Sequence, residues 1–178
     1  LLDYDAPVAR YWPEFAAKGK EAVTVRQLLS HQAGIVLPPE PIDRTDFPGM
    51  ARILGETEPL WVPGDYHGYH AGTIGYAMQV LVTRIDPAGR TIDRYLQEEL
   101  AGPLGVDFRV GAQEGYDRSR IATLKPFKPA EALLHLGEMP AGLRKVVFDS
   151  KSLFWQSMRP GSVDVNSPGS ITVEEPSG

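Results

Sequence analysis

Several features that would point to a particular chemistry are absent from this sequence. Its 178 residues include no cysteine, which excludes disulfides, cysteine–zinc sites and cysteine nucleophiles. No apolar run approaches the roughly 18 residues needed to cross a bilayer, and the most apolar segment, 74–85, is interrupted by Gln79 and Arg84. The net charge of −5 argues against a nucleic-acid-binding protein, which normally carries a basic surface.

Well-known catalytic motifs are missing too. The sequence has no Gly-x-Ser-x-Gly elbow, no Gly-x-x-x-x-Gly-Lys-Ser/Thr loop and no His-Glu-x-x-His motif. Ser30 and His31 are adjacent on a predicted helix end, so their side chains diverge by about 100°. We expect them to bond the last helix carbonyls instead of forming a catalytic pair. His67 and His70 lack a third histidine nearby, so we expect no metal and no cofactor.

What is present is ordinary globular sequence with strong helix signals. Hydrophobic residues make up 42% and charged residues 23% of the chain, as in soluble domains with a core. Residues 23–34 predict a helix in which Thr24 and Gln27 form a capping box. Gly34 is predicted to end it in the left-handed conformation that glycine adopts most easily. The Pro-rich residues 35–48 predict an irregular excursion.

The other predicted elements are mostly helical, with long connections and little strand signal. The helix at 91–100 is predicted to end at Ala101-Gly102-Pro103, and the weakest signals lie in residues 112–178. The predicted segments are a turn with a helical portion at 6–15, a solvated turn at Lys18-Gly19-Lys20, helices at 47–54, 73–85 and 91–100, a strand at 108–110, a helical signal at 130–136, one helix or irregular packing at 144–156, and loop from residue 160.

The residues that precede the 73–85 helix present a single phenol. A Pro63-Gly64 turn leads into a polar, aromatic loop that carries Tyr69. A phenol has a pKa near 10, so it acts as a base at neutral pH only when a cation favours the phenolate or relays its proton. From composition alone a core or interface role for Tyr69 is the default.

Five short sequence segments, taken together in their order along the chain, carry a resemblance to a known family. They are Leu2-Asp3-Tyr4-Asp5-Ala6-Pro7-Val8, then Tyr11-Trp12-Pro13-Glu14-Phe15, then Val23-Thr24-Val25-Arg26-Gln27-Leu28-Leu29-Ser30-His31-Gln32-Ala33-Gly34, then Pro63-Gly64 with Tyr69 and Gly75, and finally Leu100-Ala101-Gly102-Pro103-Leu104-Gly105. In these phrases the chain resembles the serine β-lactamase-like family of class C β-lactamases, DD-peptidases and family VIII esterases. The resemblance covers residues 1–111 well and residues 112–178 loosely.

The resemblance implies a serine hydrolase. In this family the serine of a Ser-x-x-Lys motif attacks a carbonyl, and water hydrolyses the resulting acyl-enzyme. Tyr69 matches the tyrosine of the family's Tyr-x-Asn motif, which works with that lysine in proton transfer. Tyr66, His67 and His70 are expected to line the substrate pocket, which would take a small ester or lactam.

Two departures from the family pattern shape the prediction. Ala71 stands where the family has asparagine, which favours the esterase-like branch over an antibiotic-degrading enzyme, because alanine cannot hydrogen-bond a substrate amide. No serine is followed three residues later by lysine, so we expect the nucleophile to lie before Leu1. The third motif, on a sheet strand, is expected beyond residue 178.

The expected fold is therefore a mainly α fragment, the helical subdomain and its connections, of the α/β serine β-lactamase/DD-peptidase fold. Residues 1–178 would form a single partial domain that packs against the remainder of its own fold. Two alternatives stay open, namely a non-catalytic β-lactamase-fold binding or scaffolding protein and a free-standing helical interaction domain. The compartment, bacterial cytoplasm or periplasm and beyond, also stays open.

Overall fold

The computed structural model describes residues 2–36, 43, 45–112, 115–125, 135–149, 151–152, 166 and 171. Over these residues the chain is helical, and its extended pairing consists of two isolated bridges, Pro7 with Thr24 and Pro63 with Tyr66. None of the helices in these ranges has both the length and the apolarity needed to cross a membrane. The α-helices are α1 (Val25–Leu29), α2 (Phe47–Glu56), α3 (Ile74–Ile85), α4 (Ile92–Leu96), α5 (Gly102–Leu104) and α6 (Ala141–Phe148).

The N-terminal segment forms short 3-10 helical turns over Val8–Arg10 and Pro13–Gly19, and the second stretch is kinked at Ala17 and Lys18. The Val8 N–H donates to the carbonyl of Val23 at 2.8 Å, which ties this segment to the residues that start α1. Trp12 and Phe15 are buried, with ring centroids 5.0 Å apart. The predicted turn with a helical portion is confirmed, and its aromatic rings form part of the core.

The capping box predicted for α1 is confirmed, but the predicted helix end is wrong. The Thr24 side chain accepts from the Gln27 N–H, and the Gln27 side chain accepts from the Thr24 N–H. The helix then stops at Leu29, and His31 takes the left-handed conformation at φ 62°. Gly34 is also left-handed at φ 72°, but there a side chain would lie 3.3 Å from the Leu60 nitrogen and the Trp61 ring. The absence of a side chain at Gly34 therefore allows the segment with Leu60 and Trp61 to pack closely against it.

The predicted helices at 47–54 and 73–85 are confirmed as α2 and α3. Asp46 caps α2 by accepting from the Gly49 N–H, and α2 packs against both the Pro13–Gly19 segment and α3. The shared core is apolar, so burial of these faces supplies the main driving force for this packing. Its buried members are Val8, Trp12, Phe15, Val23, Val25, Leu28, Ala33, Ile35, Met50, Leu54, Tyr76, Ala77 and Leu81.

The helix predicted at 91–100 runs further than expected. Thr91 caps α4 as predicted, and the chain continues through a π-helical turn, Gln97–Ala101, into α5 before left-handed Gly105 ends it. The predicted end at Ala101-Gly102-Pro103 is wrong because Pro103 lies in the first turn of α5, where its missing N–H costs nothing.

The strand predicted at 108–110 is wrong as well. The Phe108 carbonyl accepts from the Gln97 side chain, and the Val110 N–H donates to Asp93 at 2.8 Å. Side chains of α4 and its continuation thus take the backbone groups that a strand would offer to a neighbour. Of the helix predicted at 130–136, residues 130–134 lie outside the described residues, and 135–136 form a turn instead. The 144–156 prediction overlaps α6 over 144–148, whereas 149 and 151–152 are not helical and the rest lies outside the described residues. The loop predicted from residue 160 also lies outside them, apart from 166 and 171.

Lys20 contradicts its predicted place in a solvated turn. Its side chain is fully buried, and Nζ donates to the carbonyls of Ala17 at 2.7 Å, Gly55 at 3.0 Å and Thr57 at 2.5 Å. Two of these carbonyls belong to the C-terminal end of α2, where helix carbonyls lack partners within the helix. Lys20 therefore holds the C-terminal end of α2 in place, and the segment that leads to Tyr69 begins just after it.

Candidate active site

Tyr69 lies on the loop that ends at the first turn of α3. Its side chain is 66% exposed, and among the described residues nothing hydrogen-bonds its hydroxyl. Its neighbour in sequence, His70, is only 2% exposed, and the His70 carbonyl accepts from the Thr73 and Ile74 N–H groups. An exposed phenol is thus joined directly to a residue packed into the start of a helix.

His31 holds the backbone on both sides of Tyr69. The Gly68 N–H donates to the His31 carbonyl at 3.1 Å, and the His70 N–H donates to Nδ1 of the His31 ring at 3.1 Å. The His31 ring also meets the Tyr69 ring edge-on, with centroids 5.1 Å apart. One residue therefore contacts the backbone before Tyr69, the backbone after it and the phenol ring.

Both ring nitrogens of His70 are engaged inside the protein. Nε2 accepts from the Ile35 N–H at 3.0 Å, and Nδ1 pairs with the Gly68 carbonyl. Because Nε2 accepts, the proton must be on Nδ1, which donates to that carbonyl. The ring thereby joins the Tyr69 loop to the segment that follows α1.

Trp61 also contacts the residues of this loop. Its indole N–H donates to the Gln32 carbonyl at 3.2 Å, and the Gly64 N–H donates to the same carbonyl. The Trp61 ring stands edge-on to the His70 ring, with centroids 6.0 Å apart. A Cβ on Gly68 would lie 3.0 Å from the Trp61 ring, so Gly68 is needed for this close packing.

Tyr66 and His67 lie on the solvent side of the loop. Tyr66 is 69% exposed and His67 is also exposed, whereas His70 is not. The structure thus brings the four predicted residues together on one loop but separates them by depth. Tyr66, His67 and Tyr69 face outward, and His70 lies beneath them.

The histidines beneath the loop favour their neutral forms. Burial lowers the pKa of His31, and His67 lowers it further. Burial is also the main cause that lowers the pKa of His70, and His31 and His67 add to it, while the Gly68 carbonyl acts in the opposite direction. Within the residues that the structure describes, no three histidine or acidic side chains lie close enough to hold a metal ion.

His31 is the residue that the sequence prediction placed wrongly. Ser30 does bond its helix as expected, since Oγ donates to the Arg26 carbonyl at 2.7 Å. The His31 side chain instead points to the Tyr69 loop because its left-handed backbone turns it away from the α1 axis. The sequence indicated its contact with the Tyr69 loop only through its position in the family-like segment Ser30-His31-Gln32-Ala33-Gly34.

Comparisons with known proteins show the family to which the chain belongs. Residues 1–143 match the family model described as Beta-lactamase. The chain is 39% identical over 112 residues to the esterase/β-lactamase LipL of Mycobacterium tuberculosis (strain ATCC 25618 / H37Rv). The aligned residues cover 60% of this chain and 25% of LipL.

Solved structures give the same result. EstA from Arthrobacter nitroguajacolicus Rue61a matches with a TM-score of 0.78 at 30% identity, over 99% of this chain and 45% of EstA. A family VIII carboxylesterase matches with a TM-score of 0.60 at 38% identity, over 64% of this chain and 32% of that protein. The chain thus spans between a quarter and a half of the length of these relatives. Since the family model covers most of its residues, the chain belongs to the Beta-lactamase family, in the serine β-lactamase-like esterase branch.

Proposed function

We propose that these residues form the central, mainly helical portion of a serine hydrolase that cleaves small esters through an acyl-enzyme. The observation that carries the proposal is the exposed phenol of Tyr69, whose neighbours Gly68 and His70 both donate a backbone N–H to His31. The sequence resemblance aligns Tyr69 with the family's motif tyrosine. The nucleophilic serine and its lysine lie outside residues 1–178 in this proposal, because no serine precedes a lysine by three residues here.

The proposed chemistry needs a proton acceptor at the nucleophile. The serine oxygen bonds to the ester carbonyl carbon while its proton passes to the lysine–Tyr69 pair, and the bond to the alcohol oxygen breaks as the alcohol takes up that proton. Water then attacks the acyl carbon and gives a proton to the same pair, and the acyl–serine bond breaks as the serine oxygen takes that proton back and the carboxylic acid leaves. Holding the phenol in a fixed place contributes because catalysis falls steeply when a reacting group is misplaced by an ångström.

Ala71 supports esters over β-lactams as the substrate class. It stands two residues after Tyr69, where the resemblance places an asparagine. A methyl group offers no hydrogen bond to a substrate amide, and an ester has no amide to satisfy. Exposed Tyr66 and His67 would line the approach to the phenol, whereas buried His70 would act by positioning the loop.

The test uses the full-length protein that contains this chain. We expect it to hydrolyse p-nitrophenyl butyrate much faster than the β-lactam nitrocefin. Tyr69→Phe should lower kcat by about 10²–10⁴-fold, the usual contribution of a proton-transfer group. Tyr66→Phe is the matched control on the same loop, and we expect it to alter KM more than kcat.

Two further results separate this proposal from the alternatives. The isolated 178-residue chain should turn over neither substrate, and any turnover by it would refute a nucleophile placed elsewhere. A full-length protein without a Ser-x-x-Lys motif before Leu1, and without ester turnover, would instead support the non-catalytic binding or scaffolding alternative.

A further inference from the structure

His31 makes three contacts around Tyr69, and together they hold the backbone and the ring of Tyr69 in place. Its carbonyl accepts from the Gly68 N–H, its Nδ1 accepts from the His70 N–H, and its ring packs edge-on against the phenol. We propose that His31 is the positioning residue of Tyr69, and that it acts only as neutral imidazole, so that acid disengages the phenol. The proposal rests on the proposed role of Tyr69.

The backbone of His31 indicates that this arrangement is maintained at a cost. A residue other than glycine at positive φ is uncommon, and such conformations persist where the surrounding structure holds them in place. Here φ of 62° ends α1 and directs both the carbonyl and the ring of His31 to the Tyr69 loop. Histidine, asparagine and aspartate tolerate this conformation better than most side chains.

The hydrogen bond to His70 sets the protonation state that His31 needs. Nδ1 must keep its lone pair to accept the His70 N–H, so the neutral ring carries its proton on Nε2. A second proton on Nδ1 would place two N–H groups against each other and break the bond. The titratable side chains that face His31 are Tyr69, His67 and His70, and protonated His67 opposes a charge on His31.

Three variants separate the functions of this residue. His31→Asn keeps an acceptor, Oδ1, where Nδ1 lies, tolerates the left-handed backbone and does not titrate. His31→Gly keeps the backbone conformation but has no acceptor. His31→Ala has no acceptor and is strained at positive φ, so it reports on loss of stability.

The kinetic test measures kcat and KM of the full-length protein with p-nitrophenyl butyrate as a function of pH. We expect His31→Gly to lower kcat by about 10–100-fold with little change in KM, and His31→Asn to restore at least about tenfold of that loss. In His31→Asn the fall of kcat on the acid side should also shift to lower pH. Unchanged kcat in His31→Gly, or no rescue by His31→Asn in a folded protein, would overturn the proposal.

A second readout does not depend on ester hydrolysis. The His70 amide should exchange its hydrogen about tenfold faster in His31→Gly than in the wild-type protein, because its acceptor is gone, and at the wild-type rate in His31→Asn. Equal protection in all three proteins would overturn the positioning role. If exchange behaves as expected but no ester is cleaved, the proposed function fails and the positioning of Tyr69 stands.

Discussion

Nε2 of His70 accepts the backbone N–H of Ile35 at 3.0 Å, across thirty-five residues of chain. The Ile35 carbonyl accepts from the Thr73 hydroxyl at 3.1 Å, so His70 and Thr73, which lie just before α3, satisfy both backbone groups of a residue that is 2% exposed. This pairing fastens the Tyr69 loop to the segment after α1 without any strand. The stability of the loop should therefore depend on the buried polar groups beneath it.

Loss of the His70 ring should destabilise the protein clearly. His70→Ala leaves the buried Ile35 N–H without an acceptor and opens a cavity, and we expect the free energy of unfolding to fall by about 2–4 kcal/mol. His70→Gln places an acceptor near the Nε2 position and should recover part of this loss. Exposed His67→Ala should stay within about 0.5 kcal/mol of wild type. Urea denaturation of the three variants measures these differences, and equal midpoints would contradict the role assigned to His70.

Lys20 should contribute to stability although no carboxylate contacts it among the described residues. Lys20→Met preserves much of the side-chain volume but leaves the carbonyls of Ala17, Gly55 and Thr57 without their donor. We expect a loss of about 2–4 kcal/mol in unfolding free energy, since unsatisfied buried acceptors are costly. The control is Lys18→Met, two residues earlier and exposed. A loss as small as that of the control would show that Lys20 does not anchor α2.

Acid should weaken the fold before its carboxylates titrate. Burial lowers the pKa of His31 and His70 below their ordinary value of 6.5, so the unfolded chain binds more protons as the pH falls. The stability that these neutral rings contribute is complete above pH 6.5 and is lost as the pH drops below it, by up to about 1.4 kcal/mol per pH unit for each ring.

This pH dependence can be measured by denaturation at pH 7.5, 6.5 and 5.5. His31→Asn should flatten the decline. The same decline in His31→Asn and in wild type would assign it to other groups. The lowered pKa of Glu14 beside Arg84 and of Asp86 beside Arg90 affects stability only at more acid pH.

The Asp86–Arg90 pair should matter more than surface pairs. The Asp86 side chain is 2% exposed and accepts from Arg90 at 2.9 Å, and this contact lowers the pKa of Asp86 to about 2. The stability from this carboxylate is present above its ordinary pKa of 3.8 and is lost as the pH falls towards 2. Asp86→Asn should therefore lower the melting temperature at pH 7 and flatten the loss below pH 4. Asp5→Asn, in an exposed pair with Arg26, should change little, and an equal effect would contradict the prediction.

A methyl group at Gly68 should disturb the site more than the fold. The Cβ of Gly68→Ala would lie 3.0 Å from the Trp61 ring, so the ring must shift beside His70. We expect changed tryptophan fluorescence and a fall in kcat of at least about tenfold, because the Gly68 N–H bond to His31 moves with it. Gly137→Ala, where a Cβ meets nothing within 4 Å, is the control. Unchanged kcat and fluorescence in Gly68→Ala would show that the packing is loose.

Local signals predicted the helices well and predicted contacts between distant residues poorly. The capping box at Thr24 and the periodic apolar face of α3 could be predicted from the sequence, because both depend on residues three or four positions apart. Lys20 was misplaced because its partners lie as far away as Gly55 and Thr57. The strand predicted at 108–110 failed for the same reason, since side chains from α4 and its continuation take its backbone groups.

For the site, sequence alone determined the family, the mainly helical character and the loop that carries Tyr69. Tertiary structure alone decided that His70 lies beneath this loop while Tyr66 and His67 face solvent, and that His31 holds Tyr69. The physical reason is that helix caps and apolar periodicity report on neighbouring residues, whereas a buried polar group is placed by whichever distant backbone N–H or carbonyl needs a partner.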